Sequence, residues 1–151
     1  MTVTRDHVLG SLAPCGLSCE KCFAFKDGDI PRYAGMLKEK LGNFDVFAER
    51  FVKFGMPAFE NYPAFKALLE YLANGDCVGC RKGMCRLPGC GVAECHRVKK
   101  VDFCHECDEF PCKRTNFDPH LEKRWIAMNQ RMKEIGPEAY YEETKNDPRY
   151  K

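Results

Sequence analysis

Long apolar runs, alternating β-branched residues and the common catalytic motifs are all missing from this chain of 151 residues. No stretch approaches the roughly 20 apolar residues of a membrane span, and the N-terminus lacks the apolar run of a secretory signal. The lack of β-branched alternation predicts that no sheet forms. The motifs G-x-S-x-G and H-E-x-x-H and a phosphate-binding glycine loop are also absent. We therefore expect a cytoplasmic protein without a membrane partner, and whether it is an enzyme stays open.

The chain also lacks a strong excess of either charge. Its net charge is only +2 although 30% of the residues are charged, because basic and acidic side chains are interleaved. Such a chain has a weak field for holding nucleic acid, which is therefore not the expected partner. Zinc-dependent nucleic-acid binding remains a weaker alternative, and it would use the basic residues near the cysteines, Arg81, Lys82, Arg86, Arg97, Lys99 and Lys100.

Cysteine is the residue type that the chain has in excess, with eleven. Cys15, Cys19 and Cys22 form an N-terminal trio, and the other eight lie between Cys77 and Cys112. In a reducing cytoplasm such density indicates metal binding in preference to disulfides, and an odd count leaves at least one thiol unpaired. The sequence therefore predicts a metalloprotein, with zinc as the expected cofactor.

The C-terminal block contains two pairs of cysteines separated by two residues. A tight turn within such a pair aims both thiolates at one ion, and a second pair completes a tetrahedral zinc shell. Gly79 lies inside the first turn, where a positive φ is useful. The spacing therefore favours one site that consists of Cys77, Cys80, Cys104 and Cys107.

The trio has the spacing C-x3-C-x2-C, with which radical S-adenosylmethionine enzymes hold a [4Fe-4S] cluster. Those enzymes build a β/α barrel around it, and this chain lacks the length and the strand and helix alternation for one. Steps of four and three residues would also place three sulfurs on one helix face. We expect the trio to bind one ion with a fourth ligand from the distant block.

The choice between zinc and an iron-sulfur cluster stays open in the sequence, because thiolates suit both. The ferredoxin run C-x2-C-x2-C-x3-C-P is absent, which favours zinc and leaves a 4Fe-4S protein with a redox or enzymatic role as the alternative. His96 and His105 each follow a cysteine and are additional candidate ligands. The predicted metal ligands are Cys15, Cys19, Cys22, Cys77, Cys80, Cys90, Cys95, Cys104, Cys107 and Cys112.

Helical spacing and end signals predict five helices. Pro31 opens the first and Gly42 ends it, Asn43 caps the second, and the third runs from about Pro63 to Asn74. After the cysteines, Asp118 caps a helix that Pro119 opens and Gly136 ends, and Pro137 starts a short final one. The aromatic stripe of Phe44, Phe47, Phe51 and Phe54 is predicted to be core. Trp125 is predicted to lie in the core or at an interface.

These elements predict a mainly α fold, a small helical domain with an irregular, metal-stapled cysteine-rich segment. We expect one domain over residues 1–151. Its parts are the N-terminal cysteine motif (13–30), a helical core (31–75), the cysteine-rich segment (76–115) and C-terminal helices (116–151).

The chain resembles a family of small cysteine-rich bacterial and archaeal proteins. The resemblance is carried by the segments Cys15–Cys22, Cys77–Cys80 and Phe103–Cys112, together with Cys90 and Cys95. That family is known only as a domain of unknown function. Its C-G-L-x-C-x2-C start and C-x2-C-[DE]-E-[FY]-P-C end occur here in order, over about residues 13–115. The resemblance implies metal binding by the shared cysteines and no established reaction. Cys85 fits the pattern least and is the expected spare thiol.

The expected function is therefore that of a metal-binding protein, a structural or protein-interaction module with a protein as its possible partner.

Overall fold

The computed structural model describes residues 3–83 and 85–151. Contacts divide them into two compact units. One comprises residues 23–76, and the other combines residues 3–22 with 77–83 and 85–151. Helices dominate both units, which confirms the expected mainly α fold.

Seven α-helices occur in the described part of the chain, with two short 3-10 segments at Pro57–Asn61 and Cys104–Glu106. The helices are α1 (Arg5–Ser11), α2 (Asp29–Leu41), α3 (Phe44–Lys53), α4 (Tyr62–Ala73), α5 (Val92–Lys99), α6 (Pro119–Ile135) and α7 (Pro137–Thr144).

The five helices that the sequence predicts are all present, as α2, α3, α4, α6 and α7. Helix α6 follows its end signals closely: Asp118 Oδ1 accepts hydrogen bonds from the backbone N of His120 (2.9 Å) and Leu121 (3.1 Å), and the helix ends before Gly136. Helix α2 begins at Asp29, two residues before the expected proline. Helices α1 and α5 are not predicted by the sequence.

The unit of residues 23–76 consists of α2, α3 and α4 with the 3-10 turn between the last two. Helix α2 packs along α4, and Pro31 and Ala34 on α2 and Leu69 on α4 are buried. A salt bridge between Asp45 on α3 and Lys66 on α4, at 2.7 Å, also joins these helices. This unit contains no cysteine, so its packing depends on no disulfide or thiolate-bound metal.

The aromatic stripe of α3 is only partly core. Phe44 and Phe51 pack against Phe59, with ring centroids 5.7 and 5.2 Å away. Phe47 and Phe54 are 49% and 65% exposed, so their assignment to the core is wrong. At about 100° per residue, Phe47 and Phe54 lie roughly 40–80° around the helix from Phe44 and Phe51, beyond the face that the 3-10 turn and α4 cover.

The second unit holds the largest fully buried side chains, on α1, α6 and the loops around them. Val8, Leu12, Phe103 and Met132 form one cluster with residues of α7, and Trp125, only 1% exposed, lies in a second cluster. Of the two predicted places for the tryptophan, core or interface, the structure shows the core. The deepest burial thus lies outside residues 31–75, for which the sequence predicts the helical core.

The cysteine-rich segment is less irregular than the sequence indicates. It contains helix α5 and the 3-10 turn that begins at Cys104, while the rest of residues 77–117 is made of turns and extended loops. Its backbone is attached to the N-terminal loop by a hydrogen bond from Cys104 N to Pro14 O (3.0 Å).

None of the helices described here has both the length and the apolar composition that crossing a bilayer requires.

Candidate metal centre

The N-terminal cysteine motif is a compact loop and not a helix. Leu12 and Ser18 form an isolated antiparallel bridge, and the backbone N of Ala13 donates to Leu17 O (2.8 Å) across it. Cys15 lies at the tip of this loop, and Cys19 follows it, with its N donating to Ser11 O (2.7 Å). The interpretation that places the three sulfurs on one helix face is therefore wrong.

Four thiols gather beside this loop, and we call them the first thiol group: Cys19, Cys80, Cys85 and Cys90. The side chain of Cys80 interacts with those of Cys19 and Cys85, and Cys85 also interacts with Cys90. Hydrogen bonding within the group lowers the pKa of Cys19 and Cys85 and raises the pKa of Cys80 and Cys90. Each thiol of the group thus has a neighbouring thiol as a hydrogen-bond partner, and ligation of a metal would release their protons.

Backbone amides point at several sulfurs of the first thiol group. Cys85 and burial raise the pKa of Cys90, and the N–H groups of Val92 and Ala93, in the first turn of α5, oppose that rise. Leu87 N lies 3.4 Å from Cys85 Sγ. An N–H donor stabilises a thiolate more than a thiol, so these contacts favour the form that binds metal.

Two arginines lie near the first thiol group, and the positive charges of Arg81 and Arg149 both lower the pKa of Cys19. The Arg81 guanidinium stacks over Phe103 with 4.8 Å to the ring centroid, and its Nε donates to Leu9 O (3.0 Å). A zinc ion with four thiolates carries a net charge of about −2. Two adjacent cations would offset this charge.

A second set of four thiols, Cys95, Cys104, Cys107 and Cys112, lines one small cavity of about 30 Å³ and is called here the second thiol group. This volume is close to the share of one water molecule in the liquid, so the four side chains enclose little space between them. Lys99 and Arg114 also line it, and both form salt bridges with Glu109. Soft thiolates such as these suit zinc.

Trp125 lines the same cavity as the second thiol group. Its ring packs edge-on against Phe110 and Phe117, with centroids 5.0 and 6.1 Å away. Burial raises the pKa of Cys104 to about 12, and the Trp125 indole N–H opposes that shift. This N–H makes no hydrogen bond of full geometry within the described residues, which leaves it available to a thiolate.

Cys15 lies between the two groups. It is 7% exposed, it acts electrostatically on both Cys19 and Cys104, and burial raises its pKa to about 11. The buried side chain of Asn129 holds its backbone, because Nδ2 donates to Cys15 O (2.9 Å) while Oδ1 accepts from His105 N (3.1 Å). This amide thereby joins α6 to the loops that carry both groups.

The two thiol groups differ from the site of two C-x2-C pairs that the cysteine spacing favours. Cys80 lies with Cys19, whereas Cys104 and Cys107 lie in the other group. The expected spare thiol, Cys85, belongs to the first thiol group.

Cys22 and Cys77 belong to neither thiol group. Tyr150 Oη lies 3.8 Å from Cys22 Sγ, and Gly79 N lies 3.4 Å from Cys77 Sγ, in a turn where Gly79 has the expected positive φ of 87°.

The two candidate histidines are close to the groups. His96 lines the cavity of the second thiol group. His96 Nε2 and His105 Nδ1 are buried and have no hydrogen-bond partner among the described residues. Burial lowers the pKa of both rings, so they are neutral at pH 7.

All eleven cysteines are free thiols. Across residues 3–83 and 85–151, no three cysteine, histidine or acidic side chains already form a ready metal shell. Thiolate donors suit a thiophilic ion, but the side chains as placed do not form a shell around one, so binding would require the sulfurs of each group to move together.

Comparison with curated proteins and with solved structures gave no match. The model of one protein family, described as "Protein of unknown function (DUF3795)", matches residues 11–117 and thereby spans both thiol groups. Because that match covers more than half of the chain, this protein belongs to the DUF3795 family of proteins of unknown function.

Proposed function

We propose that this protein binds two zinc ions, one in each thiol group, and that the ions hold a scaffold for a protein partner. The observation that carries the proposal is the gathering of eight of the eleven cysteines into two sets of four free thiols. Four thiolates make a closed structural zinc site with no open position. The proposed role of the ions is therefore structural.

The number of ions tests the proposal directly. Protein purified without oxygen or added metal should contain two zinc ions per chain by elemental analysis. Absence of metal would contradict the proposal. Iron with equimolar acid-labile sulfide and a brown colour would establish the iron-sulfur alternative instead, because thiolates serve both.

Serine variants test how the ligands are divided. Cys85→Ser should lose one zinc ion, while Cys22→Ser, the matched control outside both groups, should keep two. The double variant Cys80→Ser/Cys107→Ser should lose both ions because its residues lie in different groups. Loss of a single ion from that double variant would instead support the site of paired C-x2-C turns.

The proposed partner surface lies on the helices of residues 23–76. Large exposed apolar patches mark interaction sites in soluble proteins. Ten of the exposed large apolar side chains belong to this unit: Tyr33, Met36, Leu37, Val46, Phe47, Phe54, Met56, Phe65, Leu68 and Tyr71. The partner it fits is a protein with an apolar face of its own.

Cross-linking in native extract tests the surface. Phe47→Ser/Leu68→Ser should reduce recovery of the cross-linked partner at least about tenfold, as loss of two central apolar anchors does at interfaces. Val98→Ser is the matched control, because Val98 is 72% exposed and lies on α5 in the other unit. Equal recovery by all three proteins would contradict the proposed surface.

A further inference from the structure

A second cavity, of about 490 Å³, lies in the unit that carries the thiol groups. Its walls are the loop around Leu17, the first half of α6, and the C-terminal segment after α7. The volume is within the range of about 300–1,000 Å³ that holds small-molecule ligands. Neither thiol group lines it.

The charge of this cavity is strongly positive. Four cationic side chains in its wall are Lys21, Lys123, Arg124 and Arg149, and none of them forms a salt bridge with a carboxylate of the described residues. Asp147 is the only acidic residue among those that line it, and it already pairs with Lys151 at 2.7 Å. Low-dielectric walls with charges of one sign raise the local concentration of oppositely charged ligands.

Some donors in the wall are committed to the fold and others are free to bind a ligand. Lys21 Nζ donates to the carbonyls of Thr144 (2.6 Å) and Asp147 (2.9 Å), and Arg124 donates to Arg149 O (2.5 Å). These bonds fix two cations in place without neutralising them. Lys123 and the His120 ring have no partner among the described residues, and both are exposed.

Part of the wall is apolar and consists of Leu12, Leu17, Ala127 and Met128. Ser18 also lines the cavity, and its Oγ has no hydrogen-bond partner among the described residues. A ligand with an anionic end and an apolar body would use both parts of this wall. Phosphate esters suit it well, because clustered lysines and arginines recognise phosphate.

We propose that this cavity binds a small organic phosphate with at least two negative charges. The site does not depend on the proposed zinc ions, since its cations come from the N-terminal loop, α6 and the C-terminal segment. Its neighbour is nevertheless the first thiol group, because Arg149 lines the cavity and also acts on Cys19 and Cys85.

Calorimetric titration of the metal-loaded chain tests this proposal. The probes are adenosine monophosphate, inorganic phosphate and citrate, each at the same ionic strength. We expect adenosine monophosphate to bind at one site per chain, at least tenfold more tightly than inorganic phosphate, because only the nucleotide also contacts the apolar wall. Tighter binding of citrate would overturn the phosphate assignment, and absence of binding by all three would overturn the site.

Charge reversal on α6 separates the cavity from general surface attraction. Lys123→Glu should weaken nucleotide binding at least tenfold, whereas Lys133→Glu, an exposed lysine on the same helix outside the cavity, should change it less than threefold. Helix content and metal content of both variants should match the parent. Equal weakening by the two variants would overturn the proposal, as it would show that only net charge matters.

Discussion

Removal of the proposed zinc ions is expected to unfold residues 77–117 while α2, α3 and α4 remain folded. The segment buries few apolar side chains: Val92, Ala93 and Phe103 are the ones below a tenth exposed among its described residues. Ordering the backbone costs roughly 1–2 kcal/mol per residue, which so little burial does not offset. Structural zinc contributes on the order of 10–16 kcal/mol in small zinc modules, and its loss removes that term.

Hydrogen exchange with and without a strong chelator measures this effect. Backbone amides of 77–117 should lose protection by several orders of magnitude, including those of α5. The amides of α2 and α4 serve as the internal control, because residues 23–76 contain no cysteine and form a compact unit of their own. Unchanged protection of 77–117 in metal-free protein would refute a structural role for the ions.

The helices with strong end signals could be predicted from the sequence. Asp118, Pro119 and Gly136 mark both ends of α6, and each acts within a few residues of its own position. Helix α5 was not predictable in this way, because its eight residues have weak amphipathic periodicity and Gly91 before it makes no side-chain cap. Helices can therefore be predicted where residues at their own ends act as caps or terminators.

The grouping of the cysteines could not be predicted from spacing because long-range contacts decide it. Cys104 N bonds to Pro14 O, and Gly91 N bonds to Thr115 O at 3.1 Å, so distant loops come together in pairs. These contacts separate Cys80 from Cys107, although both belong to C-x2-C pairs. The sequence identifies the cysteines as candidate metal ligands. The contacts between distant loops determine which of them are neighbours.

The close approach of these loops makes Gly91 the glycine at which an added methyl group should destabilise the fold the most. A Cβ built there lies 1.8 Å from Arg114 O and 3.0 Å from Arg114 C. The neighbour is backbone, and the Gly91 N–H bond to Thr115 and the bond from Asn116 Nδ2 to Gly89 O (2.9 Å) hold the two segments together. The methyl can therefore fit only if these segments part.

Gly91→Ala is expected to destabilise the unit by about 3 kcal/mol or more, at or above the upper end of the usual range for overpacking. Cys90 precedes the contact and Cys112 lies two residues before Arg114, so the separation should weaken metal binding in both thiol groups. Gly10→Ala is the matched control, since a Cβ on that helical glycine meets no atom within 4 Å. That control should keep or raise stability by up to about 1 kcal/mol, because alanine favours helix over glycine. Thermal unfolding and zinc content measure both variants, and a Gly91→Ala protein that melts with the parent and retains two ions would contradict the close contact at Arg114.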